Sequence, residues 1–146
     1  MFNTRQKTNM KPLLLGLFML IFTQLAFADL VVITNKASKV DVLTADQVKA
    51  LFLQKEKSFP NGDNVVLGDQ DSGSAVRDEF GSKVLGKSPK KLKRYWSKRV
   101  FAGKGVPPKV VGDDAAMKAW VAKTPNSLGY ISAGALDDSV KVVFKP

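Results

Sequence analysis

The sequence predicts a three-layer α/β domain. Short β-branched runs alternate with amphipathic stretches from residue 30 onward, as when strands and helices pack in layers. Several of the amphipathic stretches open on complete helix-start signals. Of the 146 residues, 45% are hydrophobic and 25% charged, which is the composition of a folding chain, not a disordered one.

The elements follow in order. Leu30 to Thr34 is an apolar, β-branched run and reads as a buried strand, and Asn35 to Val40 is a polar loop. Leu43 to Leu53 reads as a helix. Thr44 is its N-cap, Gln47 closes a capping box, and Leu43 can staple onto Val48. Val48, Leu51 and Phe52 share its apolar face. Asn61-Gly62 makes a turn, Val65 to Leu67 a short strand, and Asp69 to Gly73 a loop. A helix follows from Ser74, with Val76, Phe80 and Val84 at spacing four and Gly86 as its stop. Ser88-Pro89 opens the next helix as N-cap and first residue, with Leu92, Tyr95, Trp96 and Val100 on its apolar face. Residues 103–108 must be a loop, and Lys109 to Val111 a brief strand. Asp113 or Asp114 caps a helix that buries Met117, Trp120 and Val121, and Thr124-Pro125-Asn126 stops it. Leu128 to Ser132 and Val140 to Phe144 are the last strands.

The chain contains no cysteine and no histidine. That excludes disulfides, thiolate or histidine metal sites, cysteine nucleophiles and a serine–histidine triad. Acid–base catalysis would need carboxylates in a distinctive setting, and no acid pair has one, so an enzyme is not expected. Asp69 and Asp71 begin like a calcium loop, but its twelfth position is Phe80, where a carboxylate is required. Asp113-Asp114 and Asp137-Asp138 are explained by helix capping and turns. No metal and no cofactor is expected.

Residues 1–28 read as a signal peptide. Arg5, Lys7 and Lys11 form a basic start, Leu13 to Leu25 is apolar, and Ala26-Phe27-Ala28 is an A-x-A cleavage site. The apolar run is shorter than the roughly 20 residues that span a membrane. Cleavage after Ala28 leaves an exported domain of residues 29–146, expected in a periplasm. The chain's formal net charge is +10, and three of its positive charges lie in the signal segment.

Two stretches carry binding chemistry. The loop and helix start from Asp71 to Arg77 follow a strand and combine free backbone N–H groups, the Ser72 and Ser74 hydroxyls, the unhindered Gly73 and the charge of Arg77. Those are the parts of an anion site, although Ser72 or Ser74 acting only as a helix cap explains them as well. The second stretch, Lys83 to Arg99, holds eight basic residues and no acid. Tyr95 and Trp96 fall at core spacing, so nucleic acid is not expected. Two readings stay open: a solvated helix face, or a positive surface, with Lys91, Lys93, Arg94 and Lys98 as its contact residues, that docks an acidic partner, a membrane surface or an anionic polymer. Gly103-Lys104-Gly105 lacks the remainder of any nucleotide motif.

Several segments, in the same order, resemble one family. Leu43 to Phe52 is similar to an "L-T-x-x-Q-(L/V)-x-x-(I/L)-F" helix. Phe59 to Gly62 resembles the turn after it, and Gly73 to Arg77 with Phe80 resembles "G-S-G-T-R-x-x-F". Ser127 to Ser132 resembles a late "A-I-G-Y-V" strand, and Tyr95-Trp96 through Pro108 looks like the short exported members. The family is that of phosphate-type periplasmic substrate-binding proteins. The resemblance runs from about Val31 to Phe144 and implies one lobe of a type II periplasmic-binding-protein-like fold. It also implies phosphate or a similar small oxyanion as ligand, and a membrane transporter or sensor as partner. Gly73, Ser74 and Arg77 match the family's anion loop, while Ala75 and Val76 replace its second glycine and its threonine. Residues 29–146 are too few for two lobes, which leaves open a pairing of two copies to rebuild a cleft. It also leaves open a ligand-free accessory module of the cell envelope that acts through the basic helix.

Overall fold

The computed structural model describes residues 29–146, so the signal segment expected over residues 1–28 lies outside the described residues. The described elements are β1 (Leu30–Asn35), α1 (Ala45–Phe52), β2 (Val66–Gln70), α2 (Ala75–Lys83), α3 (Pro89–Phe101), β3 (Lys109–Gly112), α4 (Asp114–Lys123), β4 (Ser127–Ser132), a 3-10 turn (Ala133–Ala135) and β5 (Val140–Phe144). The strands form one sheet in the order β3-β2-β4-β1-β5. β2 runs parallel to β3 and β4, whereas β1 runs antiparallel to β4 and β5.

Strand alternation makes the three layers. Leu30 and Val32 of β1 and Leu128 and Tyr130 of β4 join one buried cluster with Phe52 of α1, Phe80 of α2 and Trp96 of α3. Val31 and Ile33 of β1 and Ile131 of β4 join the other, with Met117 and Val121 of α4. Successive side chains leave a strand on opposite faces, so a fully buried β1 requires helices on both. α4 lies close against its face because β2 and β4 present glycines there. A Cβ at Gly68 would stand 2.6 Å from Cζ3 of Trp120.

The helix starts match the expected chemistry. Thr44 and Gln47 form both bonds of the capping box. Ser88 caps α3 with Pro89 as its first residue, and Asp113 caps α4. Two expectations need correction. Asp69 and Gln70 belong to β2 and not to a loop, because β3 pairs alongside them and Gln70 is buried. Val100 is not buried; it is 50% exposed, because α3 continues past the cluster that covers Leu92 and Trp96. The chain after Ser132 also turns through a 3-10 segment that the sequence did not signal. Among the described residues, no helix is long and apolar enough to cross a membrane.

Candidate functional site

The turn from β2 into α2 is built around Ser74. Its hydroxyl accepts from the Arg77 N–H at 3.3 Å and donates to Oε1 of Gln70 at 3.1 Å. Ser74 is thus the helix cap, and its own N–H donates to the Asp71 carbonyl. Helix geometry leaves the N–H groups of Ala75 and Val76 without acceptors inside the helix. Gly73 adopts a φ of +85°, with open space where a side chain would stand. Ser72 and Gly73 are exposed.

Behind this turn lies a partly buried polar knot. Nε of Arg77 donates to Oδ2 of Asp69 at 3.1 Å. Oδ1 of Asp69 accepts from the Tyr130 hydroxyl and from the Gln70 N–H. Burial first, and then the negative charge of Asp69, push the Tyr130 phenol far above its ordinary range, so it stays a hydrogen-bond donor. Its ring stacks on Phe80 at 4.0 Å between centroids, and Phe52 meets the Phe80 ring edge-on. Asp69 therefore fixes the Arg77 guanidinium at one nitrogen and leaves four of its five N–H donors unused by the pair.

Beside the turn runs an open groove of about 1110 Å³ between α2, α3 and the approach to β3. Ser72, Gly73 and Arg77 line one end. Lys90 and Lys93 enter from α3, and Leu92 and Trp96 contribute to its apolar lining. The groove brings together three of the four expected ligand residues, with Ser74 set back as the cap.

The four basic residues expected to contact a partner divide between two faces. Lys93 lines the groove, whereas Lys91, Arg94 and Lys98 are exposed and do not line it. The aromatics between them are structural. The Tyr95 hydroxyl donates to the Leu53 carbonyl at 2.6 Å, and Trp96 is buried. Arg99 donates to the carbonyls of Gln54 and Lys104, which ties the end of α3 to the end of α1.

Sequence reasoning missed Asp69, Gln70 and Tyr130 as the support of the turn, and Lys90 as a groove residue. Asp69 and Tyr130 lie 61 positions apart, and no local pattern connects them. Lys90 could have been found by helix phase, since residues 90, 93 and 97 share a face.

The acid pairs have structural partners. Asp114 accepts from Nε2 of Gln70 at 2.7 Å and from the Ser132 N–H at 3.1 Å. Asp137 is held well below the usual carboxylate range, chiefly by hydrogen bonding from Lys118 and then from Ser139. Among the described residues, no cluster of acids could hold a metal ion.

No protein-family model and no curated protein matches the chain. Solved structures do. A phosphate ABC transporter substrate-binding protein from Clostridium perfringens, solved with bound phosphate, is 26% identical with a TM-score of 0.64, over 80% of this chain and 45% of that one. An ABC-type phosphate transport receptor from Vibrio cholerae is 22% identical with a TM-score of 0.63, over 80% of this chain and 46% of that one. PstS from Borrelia burgdorferi is 15% identical with a TM-score of 0.61, over 79% and 46% of the two chains. This chain is similar in fold to phosphate ABC transporter substrate-binding proteins, as its motifs implied, and spans less than half the length of these structures. These neighbours are described as binding and transport proteins, not as enzymes.

Proposed function

We propose that residues 29–146 form an exported anion-binding module. It holds phosphate or a similar oxyanion at the start of α2 and acts by binding alone, in a transport or sensing context. Cleavage after Ala28 would release it into a periplasm, where a membrane transporter or sensor would be its partner. One observation carries this reading. The Gly73-Ser74-x-x-Arg77 segment, read as an anion loop, sits at a strand-to-helix turn open to solvent, and Asp69 orients the guanidinium there. The likeness to a structure solved with phosphate supports it. Unpaired helix N–H groups, the α2 dipole and Arg77 together suit a small anion. Pairing of two copies has no support from the comparisons and is not part of the proposal.

The test is calorimetric titration of residues 29–146, which contain every described element, with phosphate and then sulfate at low and physiological salt. Saturable phosphate binding that survives salt is expected, with at least a tenfold loss in Arg77→Ala. Heat that vanishes with salt, as screening removes purely surface attraction, would sink the proposal.

A second reading rests on a separate observation. Lys91, Arg94 and Lys98 form an exposed face of α3 that does not line the groove. That face suits an envelope partner of opposite charge, with no ligand involved. Reversing those three charges would then abolish function and leave phosphate titration unchanged.

A further inference from the structure

The groove beside Ser72 and Gly73 is much larger than an inorganic oxyanion requires. Its volume of about 1110 Å³ is slightly above the roughly 300–1,000 Å³ of pockets that hold organic ligands. Its chemistry changes along its length. Arg77 and Lys93 line it together with Ser72 and Gly73, whereas Trp96, Val100, Phe101 and Val110 give it an apolar wall. Three of these apolar side chains are strongly exposed: Phe101 at 96%, Val110 at 54% and Val100 at 50%. Large apolar groups gathered at one groove, with cations beside them, mark a place where something amphiphilic sits.

We propose that this groove binds an organic phosphate monoester carrying an apolar alkyl or aryl group. Its phosphoryl end lies against Arg77 and Lys93, and its apolar group against Trp96, Val100 and Val110. The inference rests on the oxyanion reading above and deepens it, by naming the class of molecule that carries the oxyanion. Charge fixes the orientation. Lys90 and Lys93 enter from α3 and Arg77 from α2, with Asp78 as the single acid in the lining. The wall of Trp96, Val100 and Val110 offers a charged group no partner, so one phosphoryl head with an uncharged tail is the form that fits. Among the described residues of the lining, Phe101 is the one exposed aromatic ring, and a single ring cannot stack a row of bases.

The experiment compares four probes on residues 29–146 at physiological salt: inorganic phosphate, hexyl phosphate, hexanol, and vesicles of phosphatidylglycerol. Hexyl phosphate should bind about tenfold or more tightly than phosphate, since burying even two methylenes is worth that factor. Hexanol should not bind measurably. Val100→Ser and Val110→Ser should narrow the ratio of the two phosphate affinities at least threefold, with unchanged thermal unfolding showing that the fold is retained. Equal affinity for phosphate and hexyl phosphate would overturn the inference and leave the oxyanion reading standing. No binding of either would overturn both. Hexanol binding as tightly as hexyl phosphate would show an apolar sink without an anion site, and binding to vesicles but not to soluble hexyl phosphate would show a membrane contact. Either result overturns the inference.

Discussion

Two strand-to-helix turns lie at the ends of the neighbouring parallel strands β2 and β3, joined by a bond from the Asp71 N–H to the Gly112 carbonyl. Their construction is opposite. The β3–α4 turn is capped by the carboxylate of Asp113, and Asp114 beside it accepts from Gln70 and Ser132. Its dipole already faces two negative charges of its own. The β2–α2 turn is capped by the neutral hydroxyl of Ser74, and the groove lies in front of it. Here the nearby cation, Arg77, is held from behind by Asp69. A helix start whose cap is itself an anion is a structural joint. One capped by a neutral hydroxyl leaves room at the cap for an anion from outside, and within one sheet that contrast singles out α2, even with Asp78 in its first turn.

Three measurements would break or sharpen that contrast. The largest effect is expected from the two glycines. Gly112 adopts a φ of +125°, and a Cβ there would meet Cβ of Ala116 at 2.8 Å, whereas Gly73 has φ +85° and nothing within 4 Å. Gly112→Ala should cost about 3 kcal/mol from backbone strain and overlap together. Gly73→Ala should cost about 1 kcal/mol from strain alone. Urea unfolding of both variants measures this, and equal costs would remove the distinction between a filled turn and an open one.

The caps come next. Asp114→Ala removes one of the two acceptors of the buried Gln70 amide and the Asp114 acceptor of the Ser132 N–H, at a cost of about 2 kcal/mol. Ser74→Ala removes a cap at about 1 kcal/mol. Thermal unfolding of the two variants should rank them in that order, and the reverse order would make α2 the structural joint.

The third effect appears only in alkali. The unfolded Tyr130 phenol titrates near 10.0 and the folded one far higher. Unfolded chains therefore release the proton first. The contribution is intact below pH 10 and is lost as pH rises beyond it, at up to about 1.4 kcal/mol per pH unit. Tyr130→Phe should flatten that alkaline limb relative to the unsubstituted chain, and parallel limbs would show that the knot behind α2 does not depend on the phenol.

What could be read from the sequence was local. The capping box of Thr44 and Gln47 and the Ser88-Pro89 start are set within four residues, and the structure shows their bonds. The Ser74 helix start and its Gly73-Ser74-x-x-Arg77 spacing were legible for the same reason. Contacts between distant segments were hidden. Gln70 meets Asp114 across 44 positions and Tyr130 across 60, and that pairing turned an expected loop into strand. Helix periodicity placed Val100 on the same face as Leu92 and Trp96, but a period cannot say how far the neighbouring layer extends. Counting charges along α3 likewise grouped Lys93 with Lys91, Arg94 and Lys98, although the turn of the helix directs them to different surroundings.

The strand order has a consequence for the timing of folding. β1 is the first described element, yet its two neighbours, β4 and β5, are the last strands. The Thr34 hydroxyl bonds to a carbonyl 93 positions away. Every hydrogen bond between β1 and its sheet thus waits for the far end of the chain, and closing so long a loop is slow. A chain emerging from a ribosome, or threading a narrow channel beginning with β1, can form α1 and its capping box early but cannot close its sheet. The sheet of the nascent chain therefore stays open until its final strands are free, and β1, the first strand made, is secured only when β4 and β5 arrive on either side of it.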